Sequence, residues 1–138
     1  MKQHRWLLCL LMLCAAPLLA EPPAVRSAVL AKATHSWDGS PLPAYPRGTP
    51  EITVVRIEIP PHTKLPLHQH PMINVGLMLS GTLTVTTDAN ETLHLKTGDP
   101  IIEVVNKWHY GENTGDIPAV IVVVYAGEQG APLAIHPR

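Results

Sequence analysis

The chain has 138 residues, 46% of them hydrophobic and only 15% charged, which suits one folded domain and rules out two independent catalytic ones. Ten Lys and Arg stand against eleven Asp and Glu for a formal charge of -1, so no excess positive field draws phosphate backbones and nucleic-acid binding is not expected. Fifteen prolines and nine glycines break up every stretch beyond the first twenty residues that would otherwise run as a long helix, and an all-β chain is predicted.

At the N-terminus, Lys2 and Arg5 precede an apolar run from Trp6 to Leu19, and Leu18, Leu19 and Ala20 lead into Glu21. The run is broken by Pro17 and is shorter than the roughly 20 apolar residues of a membrane span, so residues 1-20 read as a secretory signal peptide. Cleavage after Ala20 would leave 118 residues, 21-138, in the periplasm or secreted, with no membrane association. Cys9 and Cys14 both lie in the leader, each behind a leucine rather than the small residue of a lipoprotein signal. The mature chain therefore has no thiol, and its chemistry must use N and O atoms. Eight basic and eleven acidic residues then give it a net charge of -3.

Residues 21-50 are expected to form a leading strand, Ser27 to Thr34, and a proline-rich arm from Asp38 to Pro50. The barrel follows over residues 51-138. Glu51 to Ile59, with Ile52, Val54, Ile57 and Ile59 apolar and Arg56 and Glu58 charged, is a strand of imperfect period two. Ile73 to Leu79 forms the next, and Leu83 to Thr87 and Thr92 to Leu95 pair as a hairpin across Asp88 to Glu91. After a turn at Gly98-Asp99-Pro100 come strands at Ile101 to Val105, His109 to Glu112 and Ala119 to Tyr125. Short strands with turns between them argue for a sandwich or barrel.

The chemistry gathers in two stretches, Pro60 to Gly81 and Gly98 to Asn113. His68 and His70 are two apart, so an extended chain turns both rings to one face. Met72 and Asn74 share that parity if the strand continues through Pro71, which brings an amide oxygen within reach. His109, beside a turn on a later strand, is the candidate third imidazole. Three neutral histidines without a thiolate suit Fe, Mn, Zn, Ni or Cu and leave positions open for water or a substrate. Met72, Met78 and Tyr110 are candidate substrate-binding residues, with simple core as the competing reading, as also for Trp108 and Tyr125. Glu103 reads as a solvated strand residue, with a general base as the alternative, and Gly111 and Asn113 as turn formers. His35, His62, His94 and His136 read as surface histidines, and no catalytic residue is assigned.

These stretches resemble the cupins, whose motifs are G(X)5HXH(X)3-4E(X)6G and G(X)5PXG(X)2H(X)3N. His68, His70, Asn74 and Gly81 fall in register with the first, although Asn74 replaces its glutamate and the opening glycine is missing. Gly98, His109 and Asn113 fit the second, with Val104 and Asn106 where Pro and Gly are usual. The resemblance spans Ile52 to about Tyr125 and implies a double-stranded β-helix, a jelly-roll barrel with a metal in its mouth, and a homodimer. Cupin activities are diverse, so the resemblance chooses no reaction. The leading expectation is an exported cupin that binds a divalent metal through His68, His70 and His109, with Asn74, and acts on or binds a small molecule. An amide at Asn74 leaves the ion's charge uncompensated, which favours small acids. The alternatives are a non-catalytic small-ligand module and an interaction protein that uses its strand edges or arm.

Overall fold

The computed structural model describes residues 24-138, so the leader assigned to residues 1-20 lies outside the described part. Eight strands follow one another: β1 (Pro50–Ile59), β2 (Thr63–Lys64), β3 (Ile73–Ser80), β4 (Thr82–Thr87), β5 (Thr92–Lys96), β6 (Pro100–Ile102), β7 (His109–Asn113) and β8 (Ala119–Glu128). They form two antiparallel sheets of four strands, ordered β1-β8-β3-β6 and β2-β7-β4-β5. Among the described residues there is no helix. The interleaving of early and late strands in both sheets is the double-stranded β-helix that the sequence implies.

Side-chain parity explains the sheets. In β1 the charged Arg56 and Glu58 fix which face is wet, so Ile57 and Ile59 turn inward while Ile52 and Val54 stay 62% and 64% exposed. β8 lies between β1, along ten paired residues, and β3, and it is apolar on both faces although Val124 on the outer one is 39% exposed. Its inward residues Ile121, Val123 and Tyr125 meet Met78 and Ile101 from the same sheet and Leu83 and Val85 from the opposite one. This is the core, and it stops at the end of the barrel where the histidines sit.

Two glycine-like positions hold the corners. β3 passes to β4 through Gly81, whose φ of 73° follows a register shift between Met78 and Ser80. A Cβ there would come within 2.7 Å of the Pro118 carbonyl oxygen and 2.9 Å of the Ala119 Cα, both backbone atoms that cannot step aside. Gly81→Ala is expected to cost about 2–4 kcal/mol through the left-handed conformation and the clash together, read as a lower urea midpoint. The second position is Asn106, at φ 55°, where the family motif has glycine. Asn tolerates this conformation at low cost, so the turn before β7 survives the exchange.

The N-terminal segment differs from expectation. Residues 27–34 form no strand; they run along the surface, with Val29 and Leu30 79% and 59% exposed and no neighbouring strand to complete a ladder. The arm is instead tied down farther on. Trp37 N–H donates to the Ile102 carbonyl at 2.9 Å, the Ser36 hydroxyl to the Glu103 carbonyl at 2.8 Å, and Lys107 pairs with Asp38. Burial pushes the Asp38 carboxyl up, but the bonds from Lys107 and Ser40 outweigh it and hold the group below the usual carboxylate range. Residues 34–42 are thus clamped over β6 and the loop that leads to His109.

Candidate metal centre

His68 and His70 lie on the segment that passes from one sheet to the other. His68 is backbone-paired with His109, the first residue of β7, through N–H to carbonyl bonds of 3.0 and 2.9 Å in the two directions. The His70 carbonyl accepts from the Asn106 N–H at 2.8 Å, which brings the loop before β7 alongside. The three rings meet with centroids 4.5, 4.9 and 5.0 Å apart, and one nitrogen from each lies within 4.8 Å of the others. Parity therefore delivers the pair His68 and His70, and antiparallel pairing delivers His109.

The other ring nitrogens are all engaged in the same manner. His68 Nδ1 lies 2.8 Å from the Pro66 carbonyl, His70 Nδ1 2.7 Å from that of Leu133, and His109 Nδ1 2.9 Å from that of Lys107. A carbonyl only accepts, so each Nδ1 carries the proton and donates it. Every neutral imidazole is thereby locked with its Nε2 lone pair free, the tautomer in which a metal is bound. Burial keeps the rings neutral, lowering His68 and pushing His70 and His109 down to about 4 against the upward pull of their carbonyl partners. No proton has to be displaced from these nitrogens at neutral pH.

Around the rings is a cavity of about 50 Å³, lined by His68, His70, His109, Glu103 and Tyr125 and by the aliphatic chains of Ile57, Ile59, Leu65, Leu83, Val85, Ile121 and Val123. Glu103 departs from its sequence reading as a solvated residue: it is only 8% exposed, and its Oε2 is 3.5 Å from His109 Nε2. The reason is parity: Glu103 is two residues on from the inward Ile101 and lies opposite Asn74, to whose carbonyl its N–H donates, so its side chain points inward, and Val104 beyond it is buried as well. Burial pushes the Glu103 carboxyl up to about 7, and burial together with the nearby Glu103 pushes the Tyr125 hydroxyl up to about 12. Tyr125 is accordingly a neutral phenol with a proton to donate.

The remaining predicted residues are not brought to the cavity. Met72 and Met78 belong to the apolar core, with Met72 packed beneath Gly127. Tyr110 has the opposite parity to its neighbour His109 and turns outward, where the Lys64 ammonium lies 3.6 Å from its ring centroid. The segment does not stay extended through Pro71 and Met72, and β3 begins only at Ile73. Asn74 is fully buried opposite Tyr125, yet it does not line the cavity; its amide NH2 donates to the Met72 carbonyl at 3.3 Å. Its Oδ1, Glu103 Oε2 and His109 Nε2 are buried polar atoms without a hydrogen-bond partner. Of the four histidines read as surface residues, His136 comes nearest, its ring 6.1 Å from that of His68 and its Nδ1 3.3 Å from the Leu67 carbonyl.

Comparison with known families settles the classification. The Cupin domain model matches residues 55–125, half of the chain. The chain belongs to the cupin family. No curated protein matches this cupin significantly. Among solved structures it is similar to an uncharacterized conserved protein with a double-stranded β-helix domain from Klebsiella pneumoniae, at 24% identity and TM-score 0.53, over 67% of this chain and 90% of that one. It is also similar to an oxalate decarboxylase from Lactobacillus farciminis, at 24% identity and TM-score 0.53, over 62% of this chain and 26% of that one. A DMSP lyase from Ruegeria pomeroyi matches at 19% identity and TM-score 0.55, over 71% and 46%. The cupin thus spans about a quarter of the decarboxylase and under half of the lyase, and these likenesses establish the shared fold.

Proposed function

We propose that this cupin is an exported protein that binds one divalent metal ion through His68, His70 and His109 and takes a small polar molecule at the open side of that ion. The observation that carries the reading is the triple lock on the rings: three Nδ1–H groups each donate to a backbone carbonyl, leaving three Nε2 lone pairs on one small cavity. A set of buried polar atoms that satisfied only one another would not need the same tautomer three times. The donor chemistry fits Fe, Mn, Zn, Ni or Cu. When bound, such an ion would supply Lewis acidity to a ligand oxygen or water. The chain's own part is to hold three neutral donors rigidly, to keep bulk water away with the aliphatic wall, and to offer the Tyr125 hydroxyl as a hydrogen-bond donor.

The expectation of an acidic ligand rested on there being no carboxylate near the ion, and Glu103 alters that premise. Small carboxylates remain the first compounds to screen, together with neutral hydroxy compounds, because both present oxygen to a metal. The size of the cavity favours the non-catalytic reading as the second one: about 50 Å³ behind an aliphatic wall holds an ion with little more than a water, so a larger molecule must rest at the rim. Elemental analysis of untagged protein isolated from its native compartment is expected to give close to one metal per chain. A trace content would overturn the metal reading and leave the binding module.

Export rests on the residue pattern of 1-20, and intact mass decides it: loss of Met1 to Ala20 is expected, while their retention would make the segment an anchor. Homodimerisation is supported by the exposed Val29, Leu30, Val75, Leu79 and Val124, which line one apolar groove between the N-terminal segment and the outer face of the sheet containing β3 and β8. Light scattering should return twice the chain mass, and a monomer across a wide concentration range would reject the dimer.

A further inference from the structure

Three buried polar atoms near the cavity have no partner, and one of them belongs to a carboxyl group. Glu103 Oε2 receives no hydrogen bond, and among the described residues the carboxylate is paired with no lysine or arginine; its one close polar neighbour is His109 Nε2 at 3.5 Å. A buried carboxylate with neither donor nor cation is costly, and so is a buried imidazole nitrogen with nothing to bind. With the carboxyl deprotonated, two electron-pair donors face each other across 3.5 Å, and a proton or a metal ion between them satisfies both.

We propose that Glu103 is the fourth protein ligand of the metal, standing in for the carboxylate that the family motif places at Asn74. The proposal rests on the three-histidine reading and extends it to a residue outside both motifs. The spacing agrees, since two atoms bound to one ion at about 2.0–2.2 Å in tetrahedral to octahedral arrangement are themselves about 3.0–3.5 Å apart. The backbone holds Glu103 in place from both sides: its N–H donates to the Asn74 carbonyl at 3.1 Å, and its carbonyl accepts from the Ser36 hydroxyl at 2.8 Å. Glu103 is therefore the residue beside Asn74 across the edge of the sheet. The acidic group has moved from β3 to the end of β6, while the position it serves is kept. Asn74 turns its amide NH2 to the Met72 carbonyl, and with Glu103 as ligand the ion's charge is half compensated by one carboxylate.

The test compares full-length exported protein with Glu103→Gln, Glu103→Asp, Asn74→Ala and His70→Ala. Zinc affinity is measured by competition with a chromophoric chelator, and each protein is also loaded with Co(II) to record its d–d absorption. Glu103→Gln preserves shape and removes a buried charge, so the metal-free fold is retained; Glu103→Asp keeps the charge but draws the oxygen back by one methylene. Both are expected to bind zinc more weakly by more than the roughly 10- to 100-fold that supporting residues contribute, with an altered cobalt spectrum, while Asn74→Ala changes neither by much. Wild-type affinity and spectrum in both Glu103 variants would overturn the assignment while leaving the three-histidine site standing, as would a loss confined to Asn74→Ala. Absence of zinc binding in the unsubstituted protein would instead overturn the metal reading itself.

Discussion

Asn113→Ala is expected to lower the free energy of unfolding by about 3–4 kcal/mol, because four backbone groups bond to its side chain. Asn113 is fully buried at the end of β7, and its amide NH2 lies 3.0 Å from the Ile59 carbonyl, 3.1 Å from that of Pro60 and 2.9 Å from that of Ile117. Its Oδ1 accepts the Gly115 N–H at 3.0 Å. One side chain thus ties the end of β1 to the loop that enters β8, where the chain has no ladder of its own. Alanine leaves these backbone groups in the interior without partners, at about 1–3 kcal/mol for each group that water cannot reach. Asn113→Asp is informative beside it, because the carboxylate fills the same space but sets an oxygen against three carbonyls, and it should be at least as damaging. Urea denaturation followed by circular dichroism measures both; a loss below about 1 kcal/mol for alanine would mean that the loop re-forms its bonds elsewhere.

His70→Ala should abolish stoichiometric metal while leaving the barrel folded. His70 is 4% exposed, its Nδ1–H reaches the Leu133 carbonyl at 2.7 Å, and its ring meets that of Tyr125 edge-on at 5.3 Å. Removal deletes one of three nitrogen donors and opens a gap on the side of the C-terminal segment. The affinity should fall by more than the roughly 10- to 100-fold that supporting residues contribute. The metal-free variant should melt slightly below the metal-free parent through the orphaned Leu133 carbonyl. Metal content after gel filtration and melting curves in chelator separate the two effects; equal metal in variant and parent would show that the ion sits elsewhere.

How much of this the residues alone reveal depends on how local the cause is. The HXH pair, the β4-β5 hairpin and the long strands β1 and β8 follow from period-two patterning and turn chemistry, and these appear with boundaries within about three residues. The same parity rule, applied to β7, turns Tyr110 away from His109, so that residue was distinguishable in principle. The inward side of Glu103 is legible by the same rule, since it is two residues from the inward Ile101, but its place beside His109 is not, because that depends on strands distant in sequence. The lock on His70 is likewise non-local, since the Leu133 carbonyl arrives by way of a bridge between Gln69 and Ile135. Two-residue β2 carries no period at all, and the surface path of residues 27–34 depends on what lies beside them rather than on their own β propensity.

The central claim, one ion held by the Nε2 atoms of His68, His70 and His109, is tested most directly by nitrogen-15 imidazole spectra of the metal-free protein titrated with zinc. Before zinc, all three rings should show the Nδ1–H tautomer; at one equivalent their Nε2 resonances should shift together while those of His35, His62 and His94 stay in place. Nε2–H tautomers in the metal-free protein, or zinc shifts that fall on the other histidines, would contradict it.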